Sequence, residues 1–421
     1  MLKLRKYQFE VWFSMAVADS DYERVWKDYY LGVQSVFYLA QGVAMGALLF
    51  LTAFLGYLNV DDFGRIVFQA VIWLPWYLKV FFGVLSDNVP LGGYGRRKPY
   101  MLFAGVVGIV GWVTIPLYTE FSILLIVSGI LASFGTGMSD AVIDALAVEI
   151  TPQKRRGALQ GLSWGFRGLG IGLTSFLAGV LAEADAWFIV FSVPGGLVSL
   201  SCFLVLLYKE NPLPKDFKRV SRKEYKSAFT NRNVQLCFTF NLFAAAAIAI
   251  IPLIQTLLEV GLGFDLTTVG IVFSIFSVGL FLGALIFGVL GDRVSVRMTL
   301  PMNSALYAIV IISALVVNLN DPTLAMIFFF VVGFTSGGYQ TTQLRINMDN
   351  TPPITSGTIF NLYNSIANVG LIAIGALAIA AFESLVGSYQ IGWQLAWVFL
   401  IIALIPGYYL TKRSREPEFQ E

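Results

Sequence analysis

The sequence predicts an all-α membrane protein of twelve transmembrane helices in two pseudo-symmetric six-helix bundles. Three observations predict it: an apolar composition, an alternation of basic and acidic loops, and a repeat near 200 residues. Of the 421 residues, 57% are hydrophobic and only 13% charged, against roughly 25% charged in a soluble domain. A soluble chain this poor in charge could not cover its own surface with polar groups, so a bilayer is the expected solvent.

A spanning helix needs about 20 mostly apolar residues. Twelve segments meet that need: 31–58, 66–86, 100–118, 121–149, 157–182, 186–208, 233–259, 267–290, 299–318, 323–346, 356–382 and 392–411, numbered spans 1 to 12 below. Lys and Arg sit on one side of this set and orient it by the positive-inside rule. Lys3, Arg5 and Lys6 precede span 1, Arg96, Arg97 and Lys98 follow span 2, and Lys154, Arg155 and Arg156 follow span 4. Eight basic residues lie in 209–232, Arg293 and Arg297 follow span 8, and Lys412, Arg413 and Arg415 end the chain. The other side has Arg65 as its only basic loop residue, among Asp61, Asp62, Glu120, Glu183, Asp185, Glu259, Asp265, Asp321 and Glu383. Both termini are therefore expected in the cytoplasm, and the membrane is expected to be the plasma (inner) membrane. The expected organisation is a cytoplasmic segment 1–30, bundles 31–208 and 233–411, a cytoplasmic linker 209–232 and a tail 412–421. Near the N-terminus, Ala16-Val17-Ala18 resembles a signal cleavage site, but the apolar run Val11–Ala18 is short and Glu10 interrupts its approach. The segment through Asp28 reads instead as an amphipathic stretch resting on the membrane surface.

The repeat supplies the two halves. A shift of 200 lays Phe134 on Phe334, Gly137 on Gly337, Glu149 on Asp349, Thr151-Pro152 on Thr351-Pro352, Gly157 on Gly357 and Gly170 on Gly370. A shift of 205 lays Gly83-Val-Leu-Ser-Asp87 on Gly288-Val-Leu-Gly-Asp292. Gly83 lets helices approach closely. Asp87 at the membrane edge can pair with Arg96, Arg97 or a helix N-terminus. With Glu149, and with Asp292 and Arg293 in the second copy, these residues are the expected latch that closes the cytoplasmic side. The plainer alternative is that the loop only anchors topology.

An ionisable group inside a span costs about 2.5–3.5 kcal/mol on insertion scales, so it usually has work to do. Asp140 and Asp144 lie one turn apart on one face of span 4. Arg167 is in span 5, Lys79 in span 2 and Arg345 near the end of span 10. Counted from the loop between spans 4 and 5, Asp140 and Arg167 both lie roughly 15 Å deep, close to the midplane. An Asp140–Arg167 pair is expected, either as a permanent brace or as a coupling site where proton and substrate exchange for the cation. Asp144 is the second candidate for proton coupling. Lys79 reads as a cation snorkelling to the interface. Histidine is absent, which leaves proton transfer to carboxylates. Cys202 and Cys237 lie in apolar stretches and suggest neither a disulfide framework nor a metal cluster.

Uncharged polar residues add stripes that would be costly in lipid. They are Gln34, Tyr38 and Gln41 in span 1, Gln160, Ser163 and Arg167 in span 5, Gln340, Gln343 and Asn347 in span 10, and Asn361, Asn364 and Asn368 in span 11. Converging, they fit a polar central cavity; singly, each could be interhelical hydrogen bonding. Trp164 lies beside that face and could stack on a ring-bearing substrate or simply pack. Trp73, Trp76, Trp112, Trp187, Trp393, Tyr408 and Tyr409 fall near span ends and read as an aromatic belt. The expected substrate contacts are Gln41, Tyr38, Trp164, Arg167, Gln340, Gln343, Asn361 and Asn364.

Two six-helix halves in parallel repeat resemble the major facilitator superfamily, whose site lies between the halves near the midplane. Gly83–Asp87 followed by Gly95-Arg96-Arg97-Lys98 is similar to that superfamily's signature after span 2, with Asn88–Tyr94 as an insertion. Three stretches resemble the folate-biopterin transporter family: Phe37–Gly42, Gly83–Tyr100, and Ser139–Glu149 with Ser163–Arg167. In the second half, Gly357–Gly370 is as similar to muropeptide permeases and acetyl-CoA transporters as to that family. The resemblance implies secondary active transport by alternating access of a pterin or folate-like organic anion, moved with protons. The alternatives are a sugar, muropeptide or lysolipid transporter, or a membrane receptor with this fold and no flux. No nucleophile–base pair argues for an enzyme. The expected partners are a small-molecule substrate, protons and the lipid bilayer, with no nucleic acid, cofactor or metal, and the chain is expected to be a monomer.

Overall fold

The computed structural model describes residues 26–61, 64–65, 68, 71–91, 95–210, 219–254 and 257–412. The expected surface segment before residue 26, and the tail beyond 412, lie outside them. Among the described residues, eleven helices are long and apolar enough to cross a membrane. They run Tyr29–Tyr57, Lys98–Leu117, Ile123–Ile150, Gln153–Glu183, Trp187–Leu207, Arg232–Glu259, Thr268–Arg293, Val296–Ser313, Pro322–Asp349, Ser356–Val386 and Tyr389–Thr411, and they are spans 1 and 3 to 12. Side-chain oxygens start several of them. Leu125 N–H donates to Ser122 Oγ (3.3 Å), Thr268 N–H to Asp265 Oδ1 (2.9 Å), and Thr323 N–H to Asp321 Oδ1 (2.8 Å). Each cap satisfies a backbone donor that the helix itself leaves open.

Span 2 departs from expectation. From residue 71 on it is helical in three pieces, 71–72, Leu74–Tyr77 and Lys79–Asn88, parted by turns at Trp73 and Leu78. Pro75 explains the first turn, because it has no N–H to give to the preceding turn of helix. The second turn comes directly before Lys79, so the cation enters the bundle at a break in its helix. Span 11 is also irregular. It is α-helical over Ser356–Val369, π-helical over Gly370–Ala376 and α-helical again over Leu377–Val386.

One apolar core draws on residues between Ala228 and Leu410, and two others on residues between Tyr30 and Tyr208. A small fourth cluster joins Ala147, Val148 and Leu159 to Met348 and Phe360. Around them, side chains such as Phe103, Val110, Leu197, Ile309, Leu377 and Ile401 are exposed. That much exposed apolar surface fits lipid and not water. The aromatic belt is only partly where it was expected. Tyr408 and Tyr409 are exposed, but Trp112 and Trp393 are fully buried, and Trp76 and Trp187 are nearly so. At Trp112 a glycine opposite leaves the room: a Cβ on Gly195 would collide with the indole.

The first- and second-half helices meet along two seams. In one, spans 5 and 8 approach so closely that a Cβ on Gly161 would lie 2.5 Å from the Ala284 carbonyl oxygen. In the other, spans 2 and 11 touch backbone to backbone, Gly83 against Gly357. Both seams lie toward the face that carries Arg96, Arg97 and Lys154, called the basic face below. The stretch 209–232 also contains structure that was not anticipated. Its residues Arg222–Thr230 form a helix with a capping box, Ser221 Oγ accepting from Glu224 N–H (3.2 Å) and Glu224 Oε2 from Ser221 N–H (2.6 Å).

Candidate functional site: a charged cavity above a closed basic face

Span 4 presents Asp140 and Asp144 to the interior because its opposite face is small. Gly135 packs on Gly108 of span 3, and Ala132 on Gly111. Spans 1 and 5 touch through Gly42, where a Cβ would strike the Arg167 carbonyl, and through Gly170, where it would strike that of Leu39. This approach brings Gln41 beside Arg167.

Asp140 accepts from Lys79 Nζ, from Arg167 Nη2 and from Gln41 Nε2 (2.9 Å). Gln41 Oε1 in turn accepts from Arg167 Nε (2.8 Å). Lys79 is therefore not a snorkelling residue. It is 3% exposed and ion-paired, and it lies 5.2 Å from the centre of the Trp76 ring. The break before it turns its long stem inward toward Asp140. Arg167 lies between two aromatic faces, 4.9 Å from the ring centres of both Tyr38 and Trp164. Such placement adds cation–π attraction to the ion pair.

Asp144 is placed differently. It forms no ion pair among the described residues. Its Oδ1 accepts from the Tyr38 hydroxyl, and its Oδ2 from Asn364 Nδ2 of span 11 at 3.2 Å. A hydrogen bond therefore joins the two halves at this carboxylate. Tyr38 touches both sides of the site, its hydroxyl on Asp144 and its ring on Arg167.

These groups line a cavity of about 130 Å³. Trp76, Gln160 and Ser163 also line it, with Gln340, Gln343, Asn364, Asn368 and Leu371 from the second half. Trp76 Nε1, Trp164 Nε1 and Gln340 Nε2 are buried donors with no protein acceptor. Two expected substrate contacts lie elsewhere. Gln41 is fully buried behind Arg167. Asn361 is fully buried, donating to the carbonyls of Ala141 (3.0 Å) and Gly357 (2.7 Å). Gln343 reaches the cavity but also donates to Asn241 Oδ1 (2.8 Å), and Asn241 and Asn347 exchange amide hydrogen bonds. Asn241 was not singled out, although a mid-span Asn in span 7 meets the same criterion that selected the others.

Below the cavity the basic face is shut by two related sets of contacts. Asp87 accepts from Arg97 (2.6 Å), and from Thr358 N–H (2.8 Å), Thr358 Oγ1 (2.7 Å) and Gly357 N–H (3.2 Å) at the start of span 11. Glu149 accepts from Arg96, Arg97 and Ser356 Oγ, the last at 2.6 Å. In the second set Asp292 accepts from Arg345, and from Gly157 N–H (2.9 Å) and Ala158 N–H (2.7 Å) at the start of span 5. Asp349 pairs with Arg156 and Arg345. Asp87 and Asp292 therefore each sit on the positive end of a helix from the opposite half. Arg97 is fully buried; burial opposes its charge, but Glu149 and Asp87 outweigh that and raise its pKa. Arg293, the cation expected beside Asp292, is exposed instead. Its neighbour Asp292 faces inward and Arg345 supplies the charge, from span 10 and not from the loop.

Comparison with known proteins places this architecture. Residues 41–334 match the BT1 family. Probable folate-biopterin transporter 4 of Arabidopsis thaliana is 31% identical over 175 residues, covering 39% of this chain and 35% of that one. The match thus spans about a third of that relative's length. The anhydromuropeptide permease of Escherichia coli K12 is 24% identical over 403 residues, 91% of this chain and 80% of its own. Among solved structures, the Major Facilitator Superfamily transporter FucP in its outward conformation superposes with a TM-score of 0.69 at 12% identity, covering 91% of this chain and 99% of that one. The chain accordingly has the major facilitator fold, with eleven helices among the described residues long and apolar enough to cross a membrane.

Proposed function

The chain belongs to the BT1 family, and from that premise we propose that it is a proton-coupled transporter of an organic anion such as a pterin or folate-like compound. It works by alternating access, the 31–208 bundle rocking against the 233–411 bundle, with both termini in the cytoplasm of a plasma (inner) membrane. The observation that carries the reading is the pair of cations on the cavity wall. Lys79 and Arg167 both line it, sharing Asp140, beside the buried donors Trp76 Nε1, Trp164 Nε1 and Gln340 Nε2, which have no protein acceptor among the described residues. An anion can take the place of Asp140 beside these cations through charge-assisted hydrogen bonds, which a neutral polyol cannot match. Arg167, between Tyr38 and Trp164, supplies charge beside two aromatic faces on which a flat ring can stack.

Coupling is assigned first to Asp144. Asp140 is engaged by two cations, whereas Asp144 is held by neutral donors and has no ion pair among the described residues. The substrate anion competes with Asp140 for Arg167 and Lys79, and protonation of Asp144 removes one of the two negative charges that oppose it. The relatives support the reading unevenly. The folate-biopterin match is a partial one, while the permease match runs nearly the whole chain, so an anhydromuropeptide, itself an anion, is the second reading. A thermal-shift panel on the purified chain separates these. Ligand binding raises the folded state's stability by mass action, so folates and pterins should raise Tm by several degrees and neutral sugars should not. Stabilisation by neutral sugars alone would refute the anion site, and stabilisation by muropeptides alone would select the second reading.

A further inference from the structure

The stretch between the halves grips the gate from two sides. At its start, Glu210 accepts from the backbone N–H of Arg96 (2.6 Å), Arg97 (3.1 Å) and Lys98 (2.7 Å), the residues that open span 3. Further on, Val220 N–H donates to Asn88 Oδ1 (2.9 Å). Tyr225 OH accepts from Asn88 Nδ2 (2.7 Å) and lies 3.2 Å from Thr358 Oγ1. Asn88 is the neighbour of Asp87, and Thr358 is one of Asp87's donors across the seam. Tyr225 therefore closes a ring of contacts around the latch that includes both halves.

The helix that carries Tyr225 has two faces. Tyr225 and Ala228 point toward the protein, Ala228 buried and Tyr225 half-buried. Arg222, Lys223 and Lys226 are exposed on the other side, flanked by exposed Arg219 and Arg232. None of these five forms an ion pair among the described residues. The one carboxylate within the helix, Glu224, is held in the capping box. A single residue, Asn231, separates this helix from Arg232, where span 7 enters the membrane. Covalent geometry therefore holds the uncompensated charge at headgroup level, and exposed Phe229 stands beside it.

We propose that the helix Arg222–Thr230 is a docking surface for anionic phospholipid headgroups, and that docking steadies the closed gate. Charge complementarity selects the occupant: clustered Lys and Arg next to a spanning helix are drawn to an anionic leaflet. The direction follows from the bridge: Tyr225 joins Asn88 of one half to Thr358 of the other, so an open seam parts its partners and releases the helix, and only the closed seam fixes its basic side chains facing outward. The basic side chains are exposed while Tyr225 is seated, so lipid can be held without unseating the tyrosine. Lipid then adds to the state in which Asp87, Asn88, Thr358 and Tyr225 are joined. The inference does not depend on what the substrate is.

The test uses the full chain in nanodiscs of phosphatidylcholine alone or enriched in phosphatidylglycerol. Spin labels on Lys154→Cys and Val294→Cys, exposed positions on the basic face of opposite halves, report the gate. Phosphatidylglycerol should raise the closed-to-open ratio by about threefold or more, given the strength of such charge attraction. Arg222→Ser/Lys223→Ser/Lys226→Ser should abolish that response, and Arg222→Ser alone should weaken it. Tyr225→Phe should keep phosphatidylglycerol bound, read by native mass spectrometry, while losing the gate response. Equal distances in both lipids, or a triple variant that responds like the parent, would overturn the proposal. So would inositol hexakisphosphate reproducing the effect in phosphatidylcholine, because the surface would then read soluble anions.

Discussion

At the scale of single residues, the site divides labour between two carboxylates one turn apart. Asp140 is neutralised by Lys79 and Arg167, and Asp144 is tied to Tyr38 and to Asn364 across the seam. Tyr38 is the piece that touches both functions, and two substitutions separate them. Tyr38→Phe keeps the ring under Arg167 and removes the bond to Asp144. Substrate Kd should stay within about twofold, since a cation–π contact of about 1–2 kcal/mol is retained, while the response of uptake to a pH gradient falls. Asp144→Asn should abolish that response and leave substrate counterflow intact. If Asp144→Asn still concentrates substrate on a pH gradient, protons couple elsewhere. The sequence made the charged members of this site legible, because each is a costly residue inside an apolar stretch. It did not make Lys79 legible as a partner of Asp140. Its depth along the chain suggested the interface, and only the broken helix around Pro75 and Leu78 turns it inward.

At the scale of elements, glycine sets the distances between helices. The seam of spans 2 and 11 depends on Gly357, where a Cβ would lie 2.7 Å from Asp87 Oδ1 and 2.8 Å from Arg97 Nη1. Gly357→Val should wedge this seam open at a cost of about 1–3 kcal/mol, the usual range for overpacking. The closed basic face should be depopulated, and cysteines at exposed positions there should report a changed distance. An unchanged distance would mean that the neighbouring side chains absorb the methyl groups. All twelve spans were read from hydropathy, because a bilayer asks only for length and apolarity, and eleven of them are long apolar helices among the described residues. The aromatic belt was less legible. Trp112 lies near a span end in sequence, but nothing local says that Gly195 on a neighbouring helix makes a buried slot for it. The linker helix was hidden for the opposite reason. It is short and polar, and it is held by Ser221, Glu224 and Tyr225 contacts.

At the scale of the whole molecule, the 200-residue repeat reappears as a pair of latches. Asp87 caps span 11 and Asp292 caps span 5, so each half holds the helix start of the other. The cations break the symmetry: Arg97 comes from the loop after span 2, Arg345 from within span 10. Asp87→Asn and Asp292→Asn should each loosen the basic face, and together more than either alone, because the two seams act on one rocking motion. Each charge at a helix N-terminus is worth about 0.3–2 kcal/mol, so the double variant should move the open fraction by roughly tenfold. A double variant no more open than the singles would show that one latch alone closes the face.

The central claim is that the cavity accepts an organic anion and that its transport draws on protons. The most direct test is uptake of labelled folate, biopterin and an anhydromuropeptide into proteoliposomes of the purified chain, with and without an imposed pH gradient, beside Arg167→Gln. The account predicts gradient-driven accumulation of an anion by the parent. It predicts that Arg167→Gln loses affinity by about tenfold or more, as losing one charge-assisted hydrogen bond implies. Gradient-independent uptake, uptake of neutral sugars only, or an Arg167→Gln variant that transports like the parent would contradict it.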